Sequence, residues 1–91
     1  MQVYVKDPGA ILDYTINWGG GYLQNGETLS SSIWTIFPAD MTQSSASYTA
    51  STASITVSGG TAGQIYQLTN RITTSQGRTD ERSITVRVEQ R

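Results

Sequence analysis

Apolar and polar residues alternate along much of this chain with a period of two. Leu12, Tyr14, Ile16 and Trp18 share one parity, and Asp13, Thr15 and Asn17 stand between them. That pattern marks a strand with one buried face. Gly19-Gly20-Gly21 stops it, because glycine holds a strand conformation poorly. A second alternation runs from Leu29 to Phe37, with Ile33, Thr35 and Phe37 on one face and Trp34 and Ile36 on the other. Two apolar faces predict a strand deep in a sandwich, or an outer face covered by a loop. Pro38 ends this strand, and residues 39–46 read as loop. Tyr48 to Ala50 and Ser54 to Val57 read as short strands, closed by Gly59-Gly60. Tyr66, Leu68, Asn70 and Ile72 mark a long strand, and Ile84, Val86 and Val88 mark the last. At the start, the apolar run Met1 to Val5 precedes Lys6-Asp7-Pro8-Gly9, which carries strong turn chemistry.

The last two strands permit a register test. Inward residues must face inward residues, since a slip of one residue turns every side chain over. Setting Leu68 against Ile84 also sets Tyr66 against Val86, Asn70 against Arg82 and Arg71 against Glu81. It leaves the three-residue loop Ser75-Gln76-Gly77, with glycine where a left-handed residue is needed. A two-residue loop would mix the faces. A five-residue loop with Leu68 facing Val86 also satisfies parity.

About seven antiparallel strands at this spacing predict an all-β fold, an immunoglobulin-like β-sandwich forming one domain over residues 1–91. Tyr66 follows a glycine-rich corner at Gly59 to Gly63 and precedes Leu68 by two residues. It is placed as a tyrosine corner, with its hydroxyl bonded to backbone. Leu68 then stands where an antibody domain has its second cysteine, and Trp18 or Trp34 fills the core centre in place of a disulfide. Burying an aromatic contributes roughly 2–3 kcal/mol, close to the roughly 2–4 kcal/mol of a disulfide.

Composition agrees and then excludes. Threonine and serine supply 24 of the 91 residues, and only 14% are charged. Such a chain suits strands and lacks the residues of long amphipathic helices. Cysteine and histidine are both missing. That removes disulfides, thiolate and imidazole metal sites, and every histidine-dependent triad. A serine nucleophile would have only Lys6 as its base. Asp7, Asp13, Asp40, Asp80 and Glu81 offer oxygen ligands, but without the spacing of a calcium loop. A chain this short leaves little room for the cleft that paired carboxylates need. No catalytic residue, metal or cofactor is expected.

The net charge is −1, which gives no electrostatic case for nucleic acid or membrane as a partner. No apolar run reaches the length of a membrane span, and no basic-then-apolar leader follows Met1. A complete protein made in the cytoplasm is the expectation. The charges separate mildly, with an excess of acid before Arg71 and five arginines from there onward.

Two stretches are candidates for protein contact. Tyr22 and Leu23 follow the glycine run and either present an anchor to a partner or fold back on the sandwich. Arg71, Arg78, Glu81 and Arg82 supply the second group. Arginine is favoured at interfaces for its forked donors, but Arg71 and Glu81 also suit a simple cross-strand ion pair.

Several segments resemble one family. They are Lys6-Asp7-Pro8, Leu12-Asp13-Tyr14-Thr15-Ile16-Asn17-Trp18, Gly26-Glu27-Thr28 and Ser32-Ile33-Trp34-Thr35. They continue in Gly59-Gly60-Thr61-Ala62-Gly63-Gln64-Ile65-Tyr66, Thr69-Asn70-Arg71-Ile72-Thr73-Thr74 and Gly77-Arg78-Thr79-Asp80-Glu81-Arg82-Ser83. Together they resemble the small immunoglobulin-like virion proteins of tailed bacteriophages, the fiber-tail adaptor or minor neck and tail group. The resemblance covers about residues 6–88 and implies a non-enzymatic structural part of a virion. It implies many copies on a symmetric ring of other virion proteins at the neck or tail, holding fibers. A capsid decoration or carbohydrate-binding module is the alternative, and it requires two exposed aromatics on one flat face. A small enzyme or inhibitor would instead show a pocket with a perturbed ionisable group. Docking by strand addition would fall to Met1–Val5, as the least secured segment.

Overall fold

A computed structural model describes residues 3–90 of the chain. The described residues form seven strands and no helix. They are β1 (Val3–Lys6), β2 (Ile11–Asn17), β3 (Leu29–Phe37), β4 (Met41–Tyr48), β5 (Thr52–Gly59), β6 (Ile65–Thr74) and β7 (Thr79–Val88). They build two sheets, one ordered β1-β7-β6-β3 and the other β2-β5-β4. The orders β2-β5-β4 and β3-β6-β7 match the B-E-D and C-F-G strands of an immunoglobulin sandwich. β1 lies on the second of these sheets and runs parallel to β7, while the other pairings are antiparallel. The parallel pairing follows from the turn at Asp7-Pro8-Gly9, which carries the chain from one sheet to the other. The Ala10 amide donates to Asp7 O, and the Gly9 amide donates to the Asp7 carboxylate.

The core is the alternation made solid. Tyr14, Ile16 and Trp18 meet Ala53, Ile55 and Val57 on one side. Trp34, Tyr66, Leu68, Ile72, Val86 and Val88 face them from the other sheet. Both tryptophans are buried. The β6–β7 register pairs Leu68 with Ile84, Tyr66 with Val86, Asn70 with Arg82 and Arg71 with Glu81. The Thr74 amide donates to Arg78 O across the three-residue loop, and Gly77 takes a φ of 79°. Tyr66 is fully buried, and its hydroxyl accepts the Thr61 amide at 2.7 Å. The tyrosine corner is therefore present.

Three expectations require correction. Residues 39–46 are not loop, because β4 occupies Met41–Tyr48 and the turn falls at 49–51. β4 is an edge strand on which only Met41 is buried, so no apolar alternation announces it. β3 is not deep in the sandwich. It is the opposite edge of its sheet, and Ile33 and Phe37 on its outer face are exposed. The N-terminal strand is better secured than a terminal segment usually is. Val3 to Lys6 pair with Thr85 to Val88, and Tyr4 packs on Tyr14 across the sheets. Lys6 is fully buried, and its ammonium donates to Gly59 O at 2.7 Å and Asp7 O at 2.9 Å. Met1 and Gln2 lie outside the described residues.

Replacing Tyr66 by Phe removes the acceptor of a partly buried amide. The expected cost is about 1–3 kcal/mol of unfolding free energy, the penalty for an unsatisfied buried group. Denaturant titration of Tyr66→Phe against the parent measures it.

Candidate interaction surfaces

The first surface grows outward from Trp18. Its indole nitrogen donates to Asn70 Oδ1 at 2.9 Å inside the core. Beyond it the glycines turn the chain back, and the Leu23 amide donates to Trp18 O. Tyr22 then sits edge-on to the indole, with centroids 5.1 Å apart and planes at 70°. The Arg82 guanidinium lies 4.5 Å above the Trp18 ring, and that of Arg78 lies 4.5 Å above Tyr22. Both arginines gain cation–π attraction here. The loop thus folds back on its own sandwich, leaving Tyr22 and Leu23 partly buried.

A carboxylate closes this arrangement. Glu27 is buried and receives both the Nε and Nη2 donors of Arg78, the fork-on-carboxylate geometry that favours arginine over lysine. The Thr74 hydroxyl and the Gln24 amide also donate to it. Arg78 spends a further donor on Tyr22 O at 3.1 Å. The Arg78 fork, the Gln24 amide and the Thr74 hydroxyl hold the Glu27 carboxyl at about 2. The loop of residues 19–28 is therefore clamped to the β6–β7 hairpin.

The second surface is the outer face of the four-stranded sheet. Arg71 and Glu81 stand opposite each other there, with an N–O separation of 3.5 Å and side chains 60% and 52% exposed. An exposed pair of this kind contributes under about 1 kcal/mol. Ile33 is Arg71's neighbour on β3, and Val3, Phe37 and Ile65 stand farther along the same face; the four are exposed by 60%, 51%, 74% and 60%. An open groove of about 440 Å³ runs between Phe37, Pro38, Ile65, Gln67 and Thr85, with Tyr66 at its floor. No carboxylate, amine or guanidinium lines it. The Tyr66 hydroxyl is committed to Thr61. Among the described residues no three acidic side chains gather as a metal would need.

The six contact candidates thus separate. Tyr22, Arg78 and Arg82 converge around Trp18, with Leu23 beside them, while Arg71 and Glu81 pair on the outer sheet face. Glu27, the centre of the clamp, was invisible to sequence reasoning, because it lies 51 residues from Arg78. The apolar outer face had a signal, the two-faced pattern of β3, which by itself suggested burial.

A family model described as Podophage GP4 fiber-tail adaptor protein gp77 matches residues 6–87. No curated protein matches the chain.

The Glu27 clamp sets a pH dependence. The folded carboxyl holds its proton more weakly than the unfolded one. Its stabilisation is complete above the ordinary glutamate range and is lost as pH falls from about 4.5 toward about 2. The melting temperature is expected to drop across that window. Glu27→Gln should melt lower than the parent at neutral pH and lose less on acidification. Calorimetry of both chains at stepped pH checks this.

Proposed function

The chain belongs to the podophage fiber-tail adaptor family, and from that premise we propose that several copies dock on a ring of other virion proteins at the neck or tail and hold fibers there. The family match, which spans nearly the whole chain, carries this reading. The outer sheet face supports it, since Phe37 and Ile65 stand exposed beside Pro38 along one open groove, an apolar patch of the kind that marks an interaction surface. Arg71 and Glu81 lie on that face in an exposed pair, available to exchange partners on docking. Tyr22, Arg78 and Arg82 act differently. They fix the shape of the loop around Leu23, which offers a second contact.

The carbohydrate reading has less to stand on. Phe37 is exposed on one sheet, whereas Tyr48 belongs to the other and gives its hydroxyl to Ser30 O. They do not form one stacking platform. A catalytic role is not part of this proposal, since the family is one of structural adaptors.

Electron microscopy of assembled particles tests the placement. Copies in contact with ring and fiber proteins at the neck or tail are expected. Copies spread over the capsid faces would overturn the adaptor placement in favour of decoration. Arg71→Ala is expected to weaken incorporation into particles while lowering the unfolding free energy by under about 1 kcal/mol. Unchanged incorporation would remove Arg71 from the contact.

A further inference from the structure

Among the described residues the arginines are not all spent alike. Arg71 faces Glu81, Arg78 grips Glu27 and Arg87 meets Glu89. Among the described residues, Arg82 alone of the arginines has no carboxylate within ion-pair distance. Asp80, two positions earlier on β7, turns a carboxylate oxygen to the Glu81 amide instead.

The Arg82 side chain is nonetheless held in place. Its guanidinium lies 4.5 Å from the centre of the Trp18 ring and 5.8 Å from that of Tyr22. One donor, on Nη1, reaches Asn17 O at 3.3 Å. The rest of the fork has no hydrogen-bond partner among the described residues, and the residue is exposed. A partner that meets an already ordered guanidinium is spared the entropy of ordering it. That entropy is part of what leaves most exposed ion pairs with little net effect.

The backbone beside this fork is bare. A Cβ at Gly20 would stand 4.0 Å from Asn17 O, the same oxygen that Arg82 Nη1 reaches. Its nearest contact would be Asn17 Nδ2 at 3.6 Å, and Gly20 is not in the left-handed region, so the fold leaves room there for a side chain. The flanking glycines differ. A Cβ at Gly19 would meet that of Ser51 at 2.9 Å, and Gly21 takes a φ of 134°. Gly20 is therefore the one residue of the run that the fold does not oblige to be glycine, and its missing side chain opens the approach to Arg82.

We propose that Arg82 anchors a carboxylate of a neighbouring virion protein, an aspartate or glutamate side chain that enters over Gly20 and takes the free donors of the fork. The inference rests on the adaptor reading above and names the chemistry of its second contact. A planar fork matches a carboxylate through two parallel hydrogen bonds, and arginines so placed are frequent energetic anchors of interfaces. Nucleic acid is a poorer match. A phosphate backbone is met by several free cations, and the neighbouring Arg78 is already spent on Glu27. A second copy is a poorer match too, since its exposed Asp13 and Asp40 already accept the Thr56 and Thr61 hydroxyls.

Two variants and one selection test this. Arg82→Met keeps an unbranched apolar cover on Trp18 and removes the donors. It should melt close to the parent, while its incorporation into particles falls at least about tenfold. Gly20→Leu leaves Arg82 in place and blocks the approach, and the same loss without a change in melting is expected. If Arg82→Met melts well below the parent, Gly20→Leu alone decides. Parental incorporation of the stable variants overturns the proposal and leaves the adaptor reading intact. Absence of the parent chain itself from neck and tail overturns that reading separately. The sign of the partner is read by suppression. Phage carrying Arg82→Glu is passaged and its revertants are sequenced. Reversal of an aspartate or glutamate to lysine or arginine in a ring or fiber protein is expected. Compensating reversal at Asp13 or Asp40 of this chain overturns the proposal in favour of contact between copies. Binding of the parent to duplex DNA that Arg82→Met loses overturns it in favour of phosphate.

Discussion

The indole of Trp18 is fully buried, and the rest of the molecule is arranged around the need to satisfy its one donor. A buried N–H left without an acceptor costs about 1–3 kcal/mol. Asn70 supplies that acceptor from the middle of β6, in the opposite sheet. Its amide group donates in turn to Ser32 Oγ and Ile33 O on β3. One buried side chain therefore ties the end of β2 to two strands of the other sheet. A directional bond of this kind fixes how the sheets sit on each other, which apolar packing alone does not. The polar centre stands in for what a disulfide does in other immunoglobulin domains. It is joined by bulk, with Trp34 on the strand equivalent to C and Leu68 where a cysteine would stand.

The same indole organises the surface above it. Tyr22 packs on its edge and Arg82 on its face. Arg78 covers Tyr22, and Glu27 holds Arg78. Each contact presupposes the one beneath it. The clamp would have nothing to close on if Trp18 did not hold the first position. Lys6 plays a comparable part at another junction. Its ammonium donates to Gly59 O at the end of β5, while its carbonyl accepts the Glu89 amide just past β7. Burial pushes that amine below the usual lysine range, against the pull of the nearby Asp7. Both ties join segments far apart in sequence. They restrain the chain much as a cross-link would, without covalent chemistry.

What the sequence made legible depended on whether position alone carried the information. The β6–β7 register was readable, because parity of Tyr66, Leu68, Ile84 and Val86 leaves few pairings and Gly77 selects among them. The strand β2 and its tryptophan were readable for the same reason. β4 was not, because an edge strand with one buried residue has no period to detect. The exposed face of β3 was misread, since alternation shows that two faces are apolar without showing what covers them. The Arg78–Glu27 pair was illegible in principle. No local pattern relates residues 51 positions apart, and only the folded loop brings them together. The Arg71–Glu81 pair was legible because a hairpin register links them directly.

These differences in legibility follow a physical division in the molecule. At the Trp18 end, aromatic, cationic and acidic groups other than the free fork of Arg82 are consumed by one another, so charge there serves internal order. At the outer face of the four-stranded sheet, the polar groups are short or weakly paired, and Val3, Ile33, Phe37 and Ile65 remain in water. A small domain has few apolar residues to spare, since its core is limited by its size. Leaving four of them exposed on one sheet lowers solubility and gives the fold nothing in return. Covering them would return apolar area from water, which is why that sheet, in a member of a fiber-tail adaptor family, is the face proposed above for docking.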